Sequence, residues 1–238
     1  RKKRKMDHKI RQIIENSILK SKKQKKEFLL FSRIMVFIQD PFISDSVDFD
    51  KVVNKLEEFM PPHLFEDIDI IYIGQYQDLI DRGLEALYES GAIYITNTLS
   101  ENIDYVENII HENAHSIEET HGLSIYGDDN VKTEFVGKRK RLFHIIKSQG
   151  HDIAGLDYLN PEFQQEMDDF LYKELGYDNL NYLISGLFLN PYAVTSIREY
   201  FASGLEKYFL DGTKREQLRN FSPELIKKIE ELINGYHS

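Results

Sequence analysis

The feature that most constrains the fold is a change of hydrophobic pattern near Ser100. Three runs rich in β-branched and aromatic residues precede it and are typical of strands: Phe28–Ile38, Asp69–Ile73 and Ala92–Thr96. Two helical patterns alternate with these runs, at Asp50–Phe59 and Leu79–Tyr88. From Ser100 onward the pattern is helical almost throughout. The sequence therefore predicts an α+β fold, dominated by helices, with a small N-terminal sheet and a helical C-terminal half.

The chain has 238 residues and no cysteine. This absence excludes thiol nucleophiles, cysteine-ligated zinc and iron–sulfur sites, and disulfide bonds. A chain of this length can bury a substantial hydrophobic core without a metal or a disulfide. Any transition-metal site must therefore use histidine, aspartate and glutamate ligands.

The charge is divided unevenly along the chain, whose formal net charge is −10. Residues 1–26 contain twelve Lys and Arg against two acids, which leaves eighteen basic and thirty-eight acidic residues in 27–238, a net charge of −20. Isoleucines recur at near-helical spacing in residues 1–26. We therefore expect a basic helical arm there, either a linker or a contact for an anionic surface such as a membrane. The acidic body argues against binding to nucleic acid.

The domain boundaries follow from this charge division. Residues 27–238 are expected to form one domain, with the sheet and first long helix reaching about residue 122 and the helical half spanning about 130–238. The longest apolar stretch, Phe28–Ile38, is too short to cross a membrane, which takes about 20 residues. The chain has no initial methionine and no secretion signal pattern. We therefore expect it to be part of a longer polypeptide.

The chemistry is concentrated in a helix expected from Ser100, which can cap its N-terminus, to Gly122, which can end it. Within this helix lies HENAH at residues 111–115, an H-E-x-x-H motif. Its two histidines lie one turn apart on one face, so both imidazoles can bind one zinc ion (Zn2+) with Glu112 beside them. Zinc lowers the pKa of a bound water to about 7, and the carboxylate can accept its proton as the water attacks a carbonyl. The motif predicts a metallopeptidase centre.

A catalytic zinc needs a third protein ligand besides His111 and His115, and two candidates lie on the same helix. His121 has the spacing of the metzincin motif, but Glu118 stands where that motif has glycine. In a continuous helix His121 points away from the other two histidines, so it is a weak candidate. Glu118 lies on the same face of the helix but further along its axis, beyond the expected position of the metal. It is better interpreted as a hydrogen-bond partner of a ligand, or as a solvated acid.

The third candidate, Glu199, lies on a helix predicted at about Thr195–Leu210. Its neighbours one turn further on are Ala202 and Ser203, and such small side chains allow two helices to approach. A carboxylate from a facing helix can complete a site made of two histidines, so Glu199 is the preferred ligand. Glu206, two turns further on the same face, is the alternative.

The chain resembles a known family at two segments, HENAH and PYAVTSIREYFASGLEKYF, which spans residues 191–209. Both are similar to the gluzincin-type zincin metallopeptidases related to anthrax toxin lethal factor, which include secreted clostridial Pro-Pro endopeptidases and domains of phage and toxin proteins. The resemblance implies that Glu199 is the third zinc ligand and that Tyr192 stabilises the transition state. The 84-residue separation of His115 and Glu199 exceeds what the family leads us to expect, which suggests inserted helices near residues 130–180.

The resemblance further implies a zinc-dependent endopeptidase with Glu112 as general base. An extended peptide substrate is expected along Gly91–Thr96, because an open sheet edge offers unpaired amide groups. A secreted, phage-borne or toxin-borne protein is expected rather than an integral membrane protein. The alternative is a noncatalytic zincin-like module that serves binding or scaffolding in a larger phage or toxin protein, although such a module has no need of Glu112.

Overall fold

The computed structural model describes residues 26–235. These residues are helix-rich and contain a small mixed sheet, in agreement with the predicted α+β class. They divide into two compact units, residues 26–58 with 68–108 and residues 59–67 with 109–235. The predicted basic arm lies outside the described residues, except for Lys26.

The first unit contains a five-stranded sheet. Its strands are β1 (Glu27–Leu30), β2 (Ile34–Ile38), β3 (Ile70–Gly74), β4 (Ala86–Glu89) and β5 (Ala92–Thr96). They lie in the order β1-β2-β3-β5-β4, with β2, β3 and β5 parallel and with β1 and β4 antiparallel to their neighbours. Ile71, Ile73, Ile93 and Ile95 alternate along β3 and β5 and are fully buried. This alternation determines the register, because a slip of one residue would expose these side chains.

The strand predicted at Phe28–Ile38 is a hairpin of two strands. Phe31 and Ser32 have φ angles of 52° and 57°, and the chain reverses there between β1 and β2. Positive φ at two successive residues is typical of the tight turns that match the twist of a hairpin. Neither residue is Gly, Asn or Asp, so the apolar run concealed the turn.

The helix predicted at Leu79–Tyr88 is wrong in its second half. Helix α1 (Phe49–Phe59) agrees with its prediction within one residue, whereas α2 (Gln77–Arg82) ends at Gly83. Gly83 has a φ of 64°, a left-handed conformation that ends helices and that glycine adopts without a steric penalty. The chain then forms β4, whose hydrogen bonds to β5 determine its conformation.

The sheet topology also contradicts the expectation that Gly91–Thr96 is a sheet edge. Strand β5 pairs with β3 on one side and with β4 on the other, so its backbone groups are already engaged. The edge strand at this end of the sheet is β4. The predicted placement of a substrate along β5 therefore loses its physical basis.

The second unit is helical. It contains the part of α3 (Asn102–Tyr126) from residue 109 on, followed by α4 (Asn130–Ser148), α5 (Gln165–Asp169), a π-helical segment (Phe170–Leu175), α6 (Tyr177–Leu183), a 3-10 turn (Tyr192–Val194), α7 (Ile197–Leu210), α8 (Gly212–Phe221) and α9 (Pro223–Ile233). A further 3-10 turn, Pro62–Phe65, belongs to the same unit. Helices thus occupy much of the stretch near residues 130–180, where the sequence suggests insertions. Among the helices of residues 26–235, none is both long and apolar enough to span a bilayer.

Helix α3 continues past Gly122, so the predicted end of the helix is wrong. Gly122 occupies an interior helical position, where glycine costs about 1 kcal/mol relative to alanine. The extra turn is stabilised because Ile125 is fully buried and Tyr126 donates a hydrogen bond to Glu118. This turn lies next to the site described below.

Candidate metal centre

Helix α3 places the two histidines of the HENAH motif on one face. His111 and His115 lie one turn apart, and their ring centroids are separated by 5.3 Å. The apolar residues Ile109, Ile110, Ala114 and Ile117 are buried around them and fix the rotation of the helix. Both imidazoles remain partly accessible, with side-chain exposures of 20% and 13%.

Glu199 enters from α7, whose first turn is capped by Ser196. The Ser196 hydroxyl oxygen accepts a hydrogen bond from the Glu199 amide. The Glu199 carboxylate meets both imidazoles, with Oε2 3.0 Å from Nε2 of His111 and Oε1 3.5 Å from Nε2 of His115. Ligand atoms of the three residues lie within 4.8 Å of one another. The structure therefore brings together the three residues that the sequence predicts as ligands.

The electrostatics of this group favour a cation. Burial lowers the pKa of His111, but its hydrogen bonds to Glu199 and Glu206 outweigh burial and raise the pKa to about 10. Burial likewise lowers the pKa of His115, and the carboxylates of Glu118 and Glu199 raise it to about 9. Burial raises the pKa of Glu199, but its bonds to the two histidines hold the pKa well below its usual value. The carboxylates thus stabilise positive charge at the point where the ligand atoms converge.

The second ring nitrogen of each histidine also contacts a carboxylate. Nδ1 of His115 lies 3.0 Å from Oε2 of Glu118, and Nδ1 of His111 lies 3.4 Å from Oε2 of Glu206. Carboxylates in this position orient the imidazole and increase its basicity as a metal ligand. Glu118 therefore has the partner role that its place on the helix predicts. Glu206, the alternative third ligand, contacts the other ring nitrogen and is not a member of the converging group.

Glu118 is itself held from several sides, and its side chain is only 4% exposed. Besides the contact with His115, it accepts a hydrogen bond from the hydroxyl of Tyr126 and lies 3.5 Å from Nε of Arg198. Burial and the negative charge of Glu118 raise the pKa of Tyr126 well above its ordinary value, so its hydroxyl stays protonated and donates. Neither Tyr126 nor Arg198 could be recognised from the sequence as a partner of Glu118. Tyr126 lies beyond Gly122, where the helix was expected to end, and no local pattern connects Arg198 to Glu118.

Glu112 is buried, with 8% exposure. Its negative charge is one of the causes of the raised pKa of the adjacent His111. Two of the other carboxylates near the imidazoles have cationic partners: Glu118 lies 3.5 Å from Nε of Arg198, and Glu206 lies 2.5 Å from Nζ of Lys207.

Tyr192 lies at the start of the 3-10 turn that precedes α7. Its backbone oxygen accepts hydrogen bonds from Thr195, and its ring packs edge-on against Tyr177 at a centroid distance of 6.2 Å. The side chain is 49% exposed. The predicted place at the beginning of a helix is thus observed, and the catalytic role of its hydroxyl stays a prediction.

His121 lies apart from the ligand group, which consists of His111, His115 and Glu199. Its Nε2 is 3.9 Å from Oε1 of Glu66, and together with Asp67 these residues form a separate, largely exposed group. Because α3 is continuous, His121 is rotated away from the face of His111 and His115. Within residues 26–235, the half-buried group that could hold a metal is His111, His115 and Glu199.

The donor set fits zinc. Two imidazoles and one carboxylate are common ligands of a catalytic zinc ion, which keeps a fourth position for water or substrate. The partial exposure of all three residues is consistent with an accessible position. A comparison with models of protein families finds no match to the chain, and neither does a comparison with curated proteins. The function is therefore inferred from the geometry and chemistry of the site.

Proposed function

We propose that the protein is a zinc-dependent endopeptidase with a zincin-like catalytic unit. The observation that carries the proposal is the convergence of His111, His115 and Glu199 from two helices, with the buried carboxylate of Glu112 next to the first ligand. A site that only stores or structures a metal requires ligands but no general base. The combination supports hydrolysis over metal storage.

His111, His115 and Glu199 would hold the zinc ion. When bound, the ion would acidify a water molecule and polarise the peptide carbonyl. Glu112 would accept a proton from the attacking water and deliver it to the departing amine nitrogen. The carbonyl carbon gains a bond to the water oxygen and loses its bond to nitrogen, so the products are a carboxylate and an amine.

Tyr192 would assist as a hydrogen-bond donor. Negative charge accumulates on the carbonyl oxygen as water adds, and a hydroxyl directed at that oxygen stabilises the transition state more than the ground state. Its 49% exposure leaves the phenol accessible to a substrate. Glu118 and Glu206 would act as positioning residues, since they touch the ligand histidines rather than the reacting atoms.

The test is cleavage of a peptide library by the purified protein. We expect cleavage that a chelator abolishes and added zinc restores. Glu112→Gln should retain zinc and the fold but lower turnover by roughly 10²- to 10⁴-fold, because only the proton acceptor is lost. Glu107→Gln removes a carboxylate from the same helix and serves as the control. A zinc-loaded protein that cleaves no peptide would instead favour the noncatalytic binding module, and full activity of Glu112→Gln would contradict the mechanism.

A further inference from the structure

Tyr200, the residue that follows Glu199 on α7, is bound by two polar side chains of α4. It is only 1% exposed, and its hydroxyl donates a hydrogen bond of 2.8 Å to Oε1 of Glu134. The same hydroxyl oxygen accepts a hydrogen bond from Nζ of Lys138. Successive side chains of an α-helix leave its axis about 100° apart. Glu199 can therefore face the histidines while Tyr200 faces α4.

Glu134 is a fixed acceptor for this hydrogen bond. Its Oε2 accepts a hydrogen bond from the backbone N–H of Glu224 at 2.8 Å, and its Oε1 accepts one from the backbone N–H of Leu225 at 3.2 Å. Both amides belong to the first turn of α9, where unpaired N–H groups and the helix dipole favour a carboxylate. The Glu134 carboxylate therefore cannot move with Tyr200 without losing its bonds to α9.

Helix α4 also holds the point where α7 begins. The backbone N–H of Ile197 donates a hydrogen bond to the backbone oxygen of Pro161 at 2.8 Å. The preceding residue of that loop, Asn160, accepts a hydrogen bond through its backbone oxygen from Nη1 of Arg139 at 2.6 Å. Arg139 is fully buried on α4. These contacts locate the first turn of α7, and the hydrogen bond of Tyr200 restrains the rotation of the helix about its own axis.

This rotation matters because Glu199 must meet two imidazoles at once. Side-chain atoms lie about 5 to 6 Å from the axis of a helix, so a rotation of about 10° moves a carboxylate by about 1 Å. A metal site requires ligand distances within about 0.2 Å of their ideal values. The ring of Tyr200 also packs on Phe135 and Phe188, but apolar contacts tolerate a shift of this size better than a directional hydrogen bond does.

We propose that Tyr200 and Glu134 are positioning residues for Glu199, and that their hydrogen bond sets the rotation of α7 that directs the Glu199 carboxylate at both imidazoles. The inference rests on the proposed function and adds to it a role for α4. This helix lies between His115 and Glu199 in the sequence, within the stretch near residues 130–180 where insertions are suggested. Neither residue of the pair would touch the reacting atoms.

The first test uses the zinc-free protein and measures nuclear Overhauser contacts between the side chain of Glu199 and the two imidazole rings. Tyr200→Phe keeps the ring and loses the hydroxyl, so we expect the contacts with at least one imidazole to be lost. Ser222→Ala is the matched control, because it removes the other hydroxyl bonded to Lys138 and leaves the bond between Tyr200 and Glu134 in place. It should lower the free energy of unfolding and retain the contacts of Glu199.

The zinc Kd, measured by competition with a chelator, gives a second readout. We expect Tyr200→Phe to weaken zinc binding about tenfold, the lower limit of the usual effect of groups that orient metal ligands. Glu134→Ala should have a similar effect, and Glu134→Gln should restore most of the affinity because its amide oxygen can still accept from Tyr200. The effects of Tyr200→Phe and Glu134→Ala should not add in the double variant, since both remove the same hydrogen bond.

Retention of the Glu199 contacts in Tyr200→Phe overturns the positioning role, whatever the zinc Kd. An equal loss of contacts in Ser222→Ala also overturns it, because the effect would then follow from Lys138 or from lower stability. If the wild type binds no zinc but Tyr200→Phe still loses the contacts, the proposed function is contradicted and the positioning role is supported. If Glu134→Ala does not fold, the comparison of Tyr200→Phe with Ser222→Ala decides the question.

Discussion

Each ligand histidine contacts a carboxylate through each of its ring nitrogens. For His115, Nε2 faces Glu199 and Nδ1 faces Glu118, so the ring cannot rotate without losing both contacts. This arrangement fixes the orientation of the imidazole and would leave Nε2 as the nitrogen that binds the proposed zinc ion. Tyr126 and Arg198 contact Glu118 and hold its carboxylate in place, so they contribute indirectly to the orientation of His115.

We predict that Glu118→Gln weakens zinc binding by about 10- to 100-fold, because an amide makes the imidazole a less basic ligand than a carboxylate does. Competition with a chromophoric chelator measures the zinc Kd. The melting temperature of the zinc-free protein provides the contrast, since a residue with a purely structural role would lower that temperature and leave the zinc Kd unchanged. A wild-type zinc Kd in Glu118→Gln would refute the positioning role.

Removal of the Tyr192 hydroxyl is expected to reduce turnover. Tyr192→Phe should lower kcat by about 10- to 10³-fold and leave zinc content and KM nearly unchanged, because the hydroxyl would act only in the transition state. Steady-state kinetics and a melting curve of the same variant separate this role from simple packing against Tyr177. A destabilised but fully active variant would show that the tyrosine is a structural residue.

At the scale of elements, the site depends on how α7 is held within the second unit. Gly204 lies on the side of α7 that faces α9, where a Cβ atom would be 2.6 Å from Cδ2 of Leu225. Leu225 is fully buried and cannot move into solvent. The close approach of these two helices therefore requires a residue without a side chain at position 204.

We predict that Gly204→Ala lowers the free energy of unfolding by about 1 to 3 kcal/mol, the usual cost of overpacking a core. Gly137→Ala is the matched control, because Gly137 lies inside α4 with nothing within 4 Å of an added Cβ. It should stabilise the protein by about 0.5 to 1 kcal/mol through helix propensity. Chemical denaturation measures both variants, and equal effects would contradict the packing of α7 against α9.

The helices that carry the proposed zinc ligands could be predicted because their signals are local. The spacing of His111 and His115 requires only a helix, and Ala202 and Ser203 mark a face of α7 that another helix can approach. The ends of elements could not be predicted in the same way. Gly122 lies inside α3 and Gly83 ends α2. The difference depends on contacts made by residues beyond Gly122, such as the burial of Ile125 and the hydrogen bond of Tyr126 to Glu118.

At the scale of the whole molecule, the second unit contains a buried amine. Lys138 is 6% exposed, and its Nζ donates hydrogen bonds to the hydroxyls of Tyr200 and Ser222. Burial lowers the pKa of Lys138 to about 7, although the charge of Glu134 opposes this shift and Arg141 adds to it. The network connects α4, α7 and the start of α9.

This amine makes the stability of the molecule depend on pH. The folded-state pKa of about 7 lies below the unfolded value of 10.5, so the unfolded chain binds more protons between these pH values. The Lys138 contribution to the free energy of unfolding therefore rises with pH, by on the order of 1 kcal/mol per pH unit in this window. Chemical denaturation of wild type and Lys138→Met should show that the free energy of unfolding of wild type increases relative to that of the variant between pH 7 and 10. Lys140→Met is an exposed control on the same helix, and its free energy of unfolding should differ from that of wild type by an amount that does not change with pH. A difference independent of pH for Lys138→Met would contradict the burial of its amine.

The most direct test of the central claim is the zinc content of purified wild-type protein, Glu199→Ala and His121→Ala. The proposed site predicts one zinc ion per chain in wild type and in His121→Ala, because His121 lies outside the ligand group. It predicts loss of most of the zinc in Glu199→Ala, whose carboxylate faces both histidines. The reverse order, with zinc kept by Glu199→Ala and lost by His121→Ala, would contradict the ligand set and require a metzincin-like site in its place.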